Sequence, residues 1–352
     1  MDEEPKVSDA FPAELRRRIE TTVSCADSEN LPRHSSAGEI IAGAEGSVQV
    51  MHNGVLVRAY GYYGKWMAEI ISRLGGVHEP QEEKVFASVL KRLSEVESPQ
   101  NPIMVELGSY WAYYSLWFMQ VFPKSKTIML EPDPAYLEMG KENFRLNGEI
   151  GEFVQGLISS SGDPKNPLPY ITESSQEKVM VPVFTLENLL KSHNAPHADV
   201  VLADIQGAET HLLESSRKLL TSGAVRFLVV STHDMSISGD PMTHQNALRL
   251  VEECGGHVVC EHSVTESFSG DGLIVASFND ADRDFRVEVS RARAKDSLFG
   301  EWEPRIKALQ KEQADKLEVV SSYGGPLFSI CIKLLDRLTF FSKNLRNWAG
   351  RD

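Results

Sequence analysis

Short apolar runs alternate with amphipathic stretches through the middle of the chain. The runs have the length of strands, and in the stretches between them apolar residues recur every three to four positions, the period of a helix. Because the runs are apolar throughout, both faces of the strands should be covered, which indicates a parallel sheet between layers of helices. The predicted strands are 103–107, 127–131, 152–158, 178–183, 199–204 and 224–231, and the predicted helices are 113–122, 134–147, 185–192, 207–220 and 242–254.

The pattern changes at the end of this region. Two runs, "HVVCEHSV" and "GLIVASF", are joined by the short "TESFSGD" with no helix between them. Such a connection is typical of a hairpin, so the last strand should run antiparallel to its neighbours. This region contains two cysteines and two histidines, Cys254, His257, Cys260 and His262. Their spacing matches no common zinc pattern, and we predict a helix end followed by a strand instead of a metal site.

The segment before the sheet divides into two parts. Residues 1–45 are polar without a sustained period, which predicts a mobile N-terminal arm. In "SVQVMHNGVLVRAYG", two β-branched runs flank Asn53-Gly54, which predicts a hairpin with a type I′ turn. Two amphipathic helices follow, the second with Glu82 and Glu83 in its first turn. We assign residues 46–100 to a hairpin and helices that cover the active site, and 101–280 to the main ligand-binding domain.

The chain becomes charged after residue 280, and a helix is predicted at 302–320. Beyond it, apolar residues recur at alternating steps of four and three as a seam on one helix face: Leu327, Cys331, Leu334, Leu338, Phe341, Leu345 and Trp348. Residues 281–352 are therefore predicted to be a C-terminal helical extension. Its seam suits pairing with a second subunit, docking on the same chain or, less favoured, contact with an anionic membrane surface.

Charge narrows the choice of partners. The 352 residues contain 36 Lys and Arg against 50 Asp and Glu, a net charge of −14, which argues against nucleic acid and favours a small-molecule partner. The amino terminus lacks an apolar signal region, and no stretch reaches the roughly 18 apolar residues of a spanning helix. The chain is therefore predicted to be cytoplasmic.

The first strand of the sheet ends in "IMVELGSYWAYYS", with Glu106 at its tip and Gly108 directly after it. Ligands of such sheets bind beyond the carboxyl ends of the strands. A dinucleotide fingerprint would need glycines where Tyr110 and Tyr113 stand, so a pyrophosphate is disfavoured. Glu131, at the tip of the second strand, can accept hydrogen bonds from both hydroxyls of a ribose. Together these features predict an adenosine-bearing ligand without phosphate.

Three stretches, "ELGSYWAYYS", "LEPDP" with "ENFRLNG", and "LADIQGAETHLL", resemble the successive motifs of FkbM-type S-adenosylmethionine-dependent O-methyltransferases over about residues 103–278. The resemblance implies an α/β, Rossmann-like class I methyltransferase fold with a seven-stranded sheet, and S-adenosylmethionine as cofactor. It assigns Glu106, Gly108 and Ser115 to the methionine side, Glu131 to the ribose and 155–157 to the adenine. The full predicted cofactor set is Glu106, Gly108, Ser109, Tyr110, Ser115, Glu131, Pro132, Gln155, Gly156, Leu157 and Asp204.

The chain departs from the family pattern at several positions. Ala112 replaces the usual second glycine, Gln206 replaces the usual Glu, and the loop carries Tyr110-Trp111. Aromatic faces suit a sulfonium through cation–π attraction. The alternative is that the aromatic residues belong to the core, which we favour for Trp117 and Phe118.

Proton transfer is assigned to polar residues at the tips of two neighbouring strands. Asp204 follows the strand at 199–204, and His233 and Asp234 follow the strand at 224–231. Since the unperturbed pKa of histidine is about 6.5, we predict that His233 accepts the acceptor's proton, with Asp204 as its orienter or the substrate's anchor and His78 in reserve. Glu209 either shares the site or stabilises a helix terminus, and these acids form no recognisable metal pattern.

The acceptor site is assigned to the segment before the first strand. Aromatic and polar residues there suit a sugar ring, and Asp234 completes the predicted set of Tyr62, Tyr63, Trp66, Glu79 and Asp234. The alternative is a helix with Trp66 in the core. The predicted function is S-adenosylmethionine-dependent O-methylation of a sugar or another polyhydroxylated metabolite. A catalytically silent methyltransferase-like scaffold and, less favoured, a nicotinamide oxidoreductase remain as alternatives.

Overall fold

A computed structural model describes residues 11–44, 46–292 and 308–316 of the chain. The chain divides into two units, residues 1–300 and 301–352. In the second unit, residues 308–316 form a helix, which lies within the helix predicted at 302–320. The apolar seam predicted further along falls outside the described residues.

The first unit begins with small elements and continues with alternating strands and helices. Before the main sheet lie α1 (Ala13–Val23), β1 (Ile40–Ile41), β2 (Val48–Val50), β3 (Leu56–Arg58), α2 (Lys65–Arg73) and α3 (Pro80–Glu95). The remaining elements are β4 (Ile103–Leu107), α4 (Tyr113–Val121), β5 (Lys126–Glu131), α5 (Pro134–Asn147), β6 (Glu152–Gln155), β7 (Leu157–Ile158), β8 (Leu168–Ile171), β9 (Lys178–Val181), β10 (Val183–Phe184), α6 (Leu186–Ser192), β11 (Ala198–Ala203), α7 (Glu209–Thr221), β12 (Val225–Thr232), α8 (Met235–Ser238), α9 (Thr243–Glu253), β13 (His257–His262) and β14 (Gly272–Ser277).

Seven strands form the central sheet in the order β13-β14-β12-β11-β4-β5-β6. The five strands from β12 to β6 are parallel, and β14 runs antiparallel to both β12 and β13. The predicted fold class is therefore confirmed: this is the Rossmann-like α/β sheet of a class I methyltransferase, with its last strand antiparallel. The segment "HVVCEHSV" forms β13, as predicted.

Each face of the sheet carries its own apolar core, because successive side chains of a strand point to opposite faces. Along β12, Phe227 and Val229 pack in a core with α1 to α5, whereas Leu228 and Val230 pack in a second core with α6, α7 and α9. Trp117 and Phe118 are buried in the first core, as predicted. None of the described helices is long and apolar enough to cross a membrane.

One predicted strand of the parallel sheet lies elsewhere. The run at 178–183 forms β9, which pairs with β8 in a separate antiparallel hairpin, and β10, which pairs with β7. Placing it in the central sheet is wrong because the residues of β9 alternate between solvent and partly covered positions, as in a hairpin with one covered face.

The predicted hairpin before the sheet is present, but its turn differs from the prediction. Val48 pairs with Arg58 and Val50 with Leu56, so five residues form the loop. A type I′ turn needs positive φ at both central residues, and of Asn53 and Gly54 only Gly54 has it. The type I′ assignment is therefore wrong, and the strands close through a wider loop in which Met51 donates to Val55 O.

The segment predicted as a mobile arm contains α1, which packs on the rest of the first unit. Ile19 is fully buried, and Thr22 Oγ1 donates to Phe268 O at 2.8 Å. The predicted domain boundaries themselves stay predictions.

Candidate active site

The tips of β4 and β11 meet at a glycine. Gly108 follows β4 with φ +74°, and a Cβ atom there would stand 1.7 Å from the backbone oxygen of Asp204. Only glycine allows this approach, which brings the loop after β4 against the loop after β11. The crevice beyond the strand ends therefore opens between these two loops, where ligands of such sheets bind.

A cavity of about 530 Å³ occupies this crevice. Of the predicted cofactor set, eight residues line it: Glu106, Gly108, Tyr110, Glu131, Pro132, Gly156, Leu157 and Asp204. Three others are not among its lining residues. Ser109 and Ser115 are buried behind the wall, and Gln155 donates to Pro132 O at 3.3 Å.

Glu131 lies at the tip of β5, and each of its oxygens accepts one backbone N–H. The donors are Tyr110 N and Asp133 N, both at 2.9 Å. Burial raises the pKa of Glu131 to about 8, although these two N–H groups lower it. Hydroxyl groups of a ligand donating to Glu131 would also favour its charged form, so ligand binding and ionisation of Glu131 should reinforce each other.

Glu106 holds the start of the helix that follows the glycine loop. Its Oε2 accepts Ser115 N at 3.0 Å. Burial raises the pKa of Glu106 to about 7, against the lowering effect of Ser115. Ala112, where the family usually has glycine, has a left-handed φ of +56°, a conformation in which glycine carries no steric penalty.

Aromatic rings form much of the wall between this loop and the N-terminal segment. Tyr62 stacks on Trp111 with ring centroids 4.4 Å apart, and Tyr110 stacks on Tyr136 at 3.7 Å. Tyr62 also meets Tyr110 edge to face at 5.0 Å. Residues of both sequence-predicted sets, cofactor and acceptor, thus share one wall of the cavity.

His233 lies among three carboxylates. Its Nδ1 is 2.6 Å from Glu209 Oε1, and its Nε2 is 3.0 Å from Asp204 Oδ1 and 3.9 Å from Asp271 Oδ1. Burial lowers the pKa of His233, but Asp204 and Glu209 outweigh it, so that the pKa lies well above its usual value. An imidazolium has no free lone pair to accept a proton, which argues against the predicted role of His233 as the base.

The reserve candidate, His78, has the same limitation. It is buried, with Nδ1 2.6 Å from Glu83 Oε1 and Nε2 3.4 Å from Glu79 Oε2. Burial lowers the pKa of His78, but Glu83 and Glu79 raise it to about 10. His78 is therefore a cation at neutral pH and is better suited to hold Glu79 in place than to remove a proton.

A second cavity, of about 150 Å³, adjoins the first, and seven residues line both: Tyr62, Tyr63, His78, Glu79, Asp204, Gln206 and Ile237. Trp66 lines only the smaller cavity, so four of the five predicted acceptor residues gather there. The fifth, Asp234, lines neither of these cavities. It caps α8 by accepting Ser236 N at 2.9 Å.

Comparison with known proteins identifies the central part of the chain. Residues 97–258 match the family model described as Methyltransferase FkbM domain. This stretch is therefore similar to the FkbM methyltransferase domain. A curated relative, the hexuronic acid methyltransferase AglP of Haloferax volcanii, is 23% identical over 186 residues, which cover 51% of this chain and 74% of AglP.

Two of the solved structures that are similar to this chain are structures of methyltransferases. The precorrin-6y C5,15-methyltransferase of Geobacter metallireducens GS-15 is 15% identical with a TM-score of 0.35, covering 55% of this chain and 88% of that one. A crystal form of the METTL16 methyltransferase domain is 13% identical with a TM-score of 0.40, covering 77% and 94%.

Several residues of the site were missed by sequence reasoning. In the larger cavity these are Glu82, Tyr136, Tyr170 and Glu173, and in the smaller one Arg18, Ser269 and Asp271. Of these seven, Glu82, Arg18, Ser269 and Asp271 lie outside the stretch that matches the FkbM methyltransferase domain. His233 could be singled out because it directly follows a predicted strand of the sheet. None of these seven residues directly follows such a strand, so this signal could not identify them.

Proposed function

We propose that this methyltransferase moves a methyl group from S-adenosylmethionine to a hydroxyl oxygen of a sugar or another polyhydroxylated metabolite. The observation that carries the proposal is the position of Glu131. It lies in the wall of the larger cavity, one strand away from Gly108, as a ribose-binding acid requires. The loop at Gly108 offers aromatic side chains in place of a bare phosphate-binding backbone.

The residues of the larger cavity fit S-adenosylmethionine. Glu131 would accept the ribose hydroxyls, and Pro132, Gly156 and Leu157 would enclose the adenine. When bound, the cofactor supplies an electrophilic methyl group next to a positively charged sulfur, which the aromatic wall and the nearby carboxylates would stabilise.

A hydroxylated acceptor is supported by the smaller cavity. Glu79 and Asp204 offer carboxylate oxygens, which accept hydrogen bonds, beside the rings of Tyr62, Tyr63 and Trp66. This is the chemistry that binds a sugar, whose C–H face packs on aromatic rings while its hydroxyls donate. The name of the similar hexuronic acid methyltransferase AglP supports a sugar as well.

The experiment is calorimetric titration of the full chain with S-adenosylmethionine and, for comparison, with NAD. We expect binding of S-adenosylmethionine and none of NAD. Glu131→Ala should weaken binding by roughly 1.5–3 kcal/mol, the loss expected for hydrogen bonds to a charged group. The matched control is Glu149→Ala, because Glu149 is exposed and outside the cavity.

The calorimetric titration and an assay of labelled methyl transfer together distinguish the three candidate functions. NAD binding without S-adenosylmethionine binding would replace the proposal by an oxidoreductase. Cofactor binding without transfer of a labelled methyl group to any acceptor in cell extracts would favour the silent scaffold. Unchanged affinity of a stably folded Glu131→Ala variant would remove Glu131 from the site.

A further inference from the structure

Most of the residues that line the smaller cavity lie outside the family-matched stretch. Arg18 comes from α1, and Ser269 and Asp271 come from the loop before β14. Arg18 lies over the ring of Trp66, 5.0 Å from its centroid. These residues complete a pocket that shares Tyr62 and Glu79 with the lining of the larger cavity.

The loop that carries Asp271 is held from two sides. Arg18 donates through Nε and Nη2 to Ser269 O at 3.2 and 3.0 Å. On the other side, Phe268 N donates to Gln81 Oε1 at 2.8 Å. Because these hydrogen bonds fix the loop, the carboxylate of Asp271 has a defined position. A side chain that contacts substrate needs such a fixed position.

The Nε2 atom of His233 lies near the carboxylates of both Asp204 and Asp271. It is closer to Asp204, at 3.0 Å, than to Asp271, at 3.9 Å, and makes no well-directed hydrogen bond with either. Because Asp204 is the nearer partner of this cation, the carboxylate of Asp271 keeps acceptor capacity for a ligand in the smaller cavity.

We propose that the smaller cavity binds an uncharged, hydroxyl-rich sugar ring and that Asp271 receives the proton of the hydroxyl that is methylated. The inference rests on the proposed function. The acceptor oxygen forms a bond to the methyl carbon while the bond from that carbon to sulfur breaks and its electron pair stays on sulfur. The hydroxyl proton passes to Asp271 and from there to water, so that the positive charge lost at sulfur leaves as a proton.

An uncharged ring is favoured by the charges around the cavity. Three cations, Arg18, His78 and His233, face five carboxylates, those of Glu79, Glu83, Asp204, Glu209 and Asp271. The acidic groups exceed the cations by two when Asp271 is ionised and by one when it is protonated. A sugar that carries a carboxylate would therefore be repelled, whereas hydroxyl donors would be bound. This distinguishes the expected acceptor from a hexuronic acid.

The pKa of Asp271 suits its proposed role as the proton acceptor. Burial raises the pKa of Asp271 to about 7, with His233 and Arg18 lowering it and Asp204 and Glu79 raising it. A proton acceptor works best with a pKa near the operating pH. Turnover should therefore rise with pH through about 7, as Asp271 loses its proton.

The test uses the full chain, labelled S-adenosylmethionine, and two matched probes: methyl glycopyranosides and the corresponding methyl glycopyranosiduronates, which differ only at C6. We expect the uncharged glycosides to react at least roughly tenfold more efficiently. Asp271→Asn should lower turnover by about 10²–10⁴-fold and remove the rise near pH 7, while affinity for S-adenosylmethionine stays unchanged. Asp284→Asn, at an exposed carboxylate, is the control.

Each other result overturns part or all of the inference. Faster reaction of the uronates, or methylation of neither probe although S-adenosylmethionine binds, rejects the acceptor class. Near-normal turnover of Asp271→Asn with the pH dependence intact rejects Asp271 as the proton acceptor. If calorimetry shows no binding of S-adenosylmethionine at all, the proposed function itself fails, and the inference falls with it.

Discussion

A single buried carboxylate, Glu83, contacts three buried side chains, one of which, His78, lines the site. Its oxygens contact the rings of His78 at 2.6 Å and His52 at 3.2 Å, and Tyr113 OH donates to it at 3.1 Å. Burial raises the pKa of Glu83, but His78 and His52 outweigh this and hold it below its usual value. Removing one partner of such a buried pair leaves an uncompensated charge, which is strongly destabilising.

The ion pair between His78 and Glu83 makes the free energy of unfolding depend on pH. The pKa of His78 is about 10 in the folded protein and about 6.5 when unfolded, so its charge stabilises the fold fully below pH 6.5 and loses that effect as pH rises towards 10. We expect the wild-type free energy of unfolding to fall between pH 6 and 9.5 by a few kcal/mol more than that of His78→Gln. Urea unfolding measures this, with exposed His211→Gln as the control. Parallel pH curves for wild type and His78→Gln would contradict the pairing.

Among the elements, α1 has the most direct consequence for the site. It lies in the segment predicted as an arm, yet it forms one wall of the smaller cavity and holds the loop before β14. Through Thr22 and Arg18 it makes hydrogen bonds to Phe268 O and Ser269 O. The helix therefore connects the N-terminal segment to the placement of Asp271.

Replacing Arg18 tests this connection. Arg18→Ala removes two hydrogen bonds from a charged donor and the contact with Trp66, so the KM for a glycoside acceptor should rise roughly tenfold. Cofactor affinity should not change, since Arg18 lines only the smaller cavity. Arg17→Ala, at the exposed neighbouring position, should behave like the wild type. An equal loss of acceptor and cofactor affinity would show that α1 supports the whole fold instead of the acceptor site.

For the whole molecule, the association state is still a prediction. The net charge of −14 favours solubility, whereas the apolar seam from Leu327 to Trp348 favours contact with another surface. The segment with the seam lies outside the described residues. Pairing with a second subunit remains the first choice, followed by docking on the same chain and by membrane contact.

Deleting residues 325–352 distinguishes these possibilities. If the seam pairs two subunits, the deletion should convert a dimer into a monomer in light scattering while methyl transfer per chain persists. A variant in which the seam is kept but Lys333 and Arg337 become Gln serves as the control for charge. A monomer in both forms that loses binding to anionic vesicles on deletion would favour the membrane surface.

The sequence by itself determined the features that depend on residues close together along the chain. Apolar runs of strand length and a helical period of three to four residues identified most strands and helices of the central region. Gly108, directly after one strand, and Glu131, at the tip of the next, indicated the ligand crevice. The sequence pattern placed β9 in the wrong sheet, because a short apolar run can form a strand of a hairpin as readily as a strand of a parallel sheet.

Only the tertiary structure decided how the polar groups of the site behave. Glu83, predicted only to lie in the first turn of a helix, is fully buried between two histidines. Asp204 and Glu209 beside His233 raise its pKa, which argues against its predicted role as a base. Asp271 joins the site from a loop beyond the family-matched stretch. A pKa depends on burial and on charges within a few ångströms, and those come from segments far apart in the chain, which no local pattern contains.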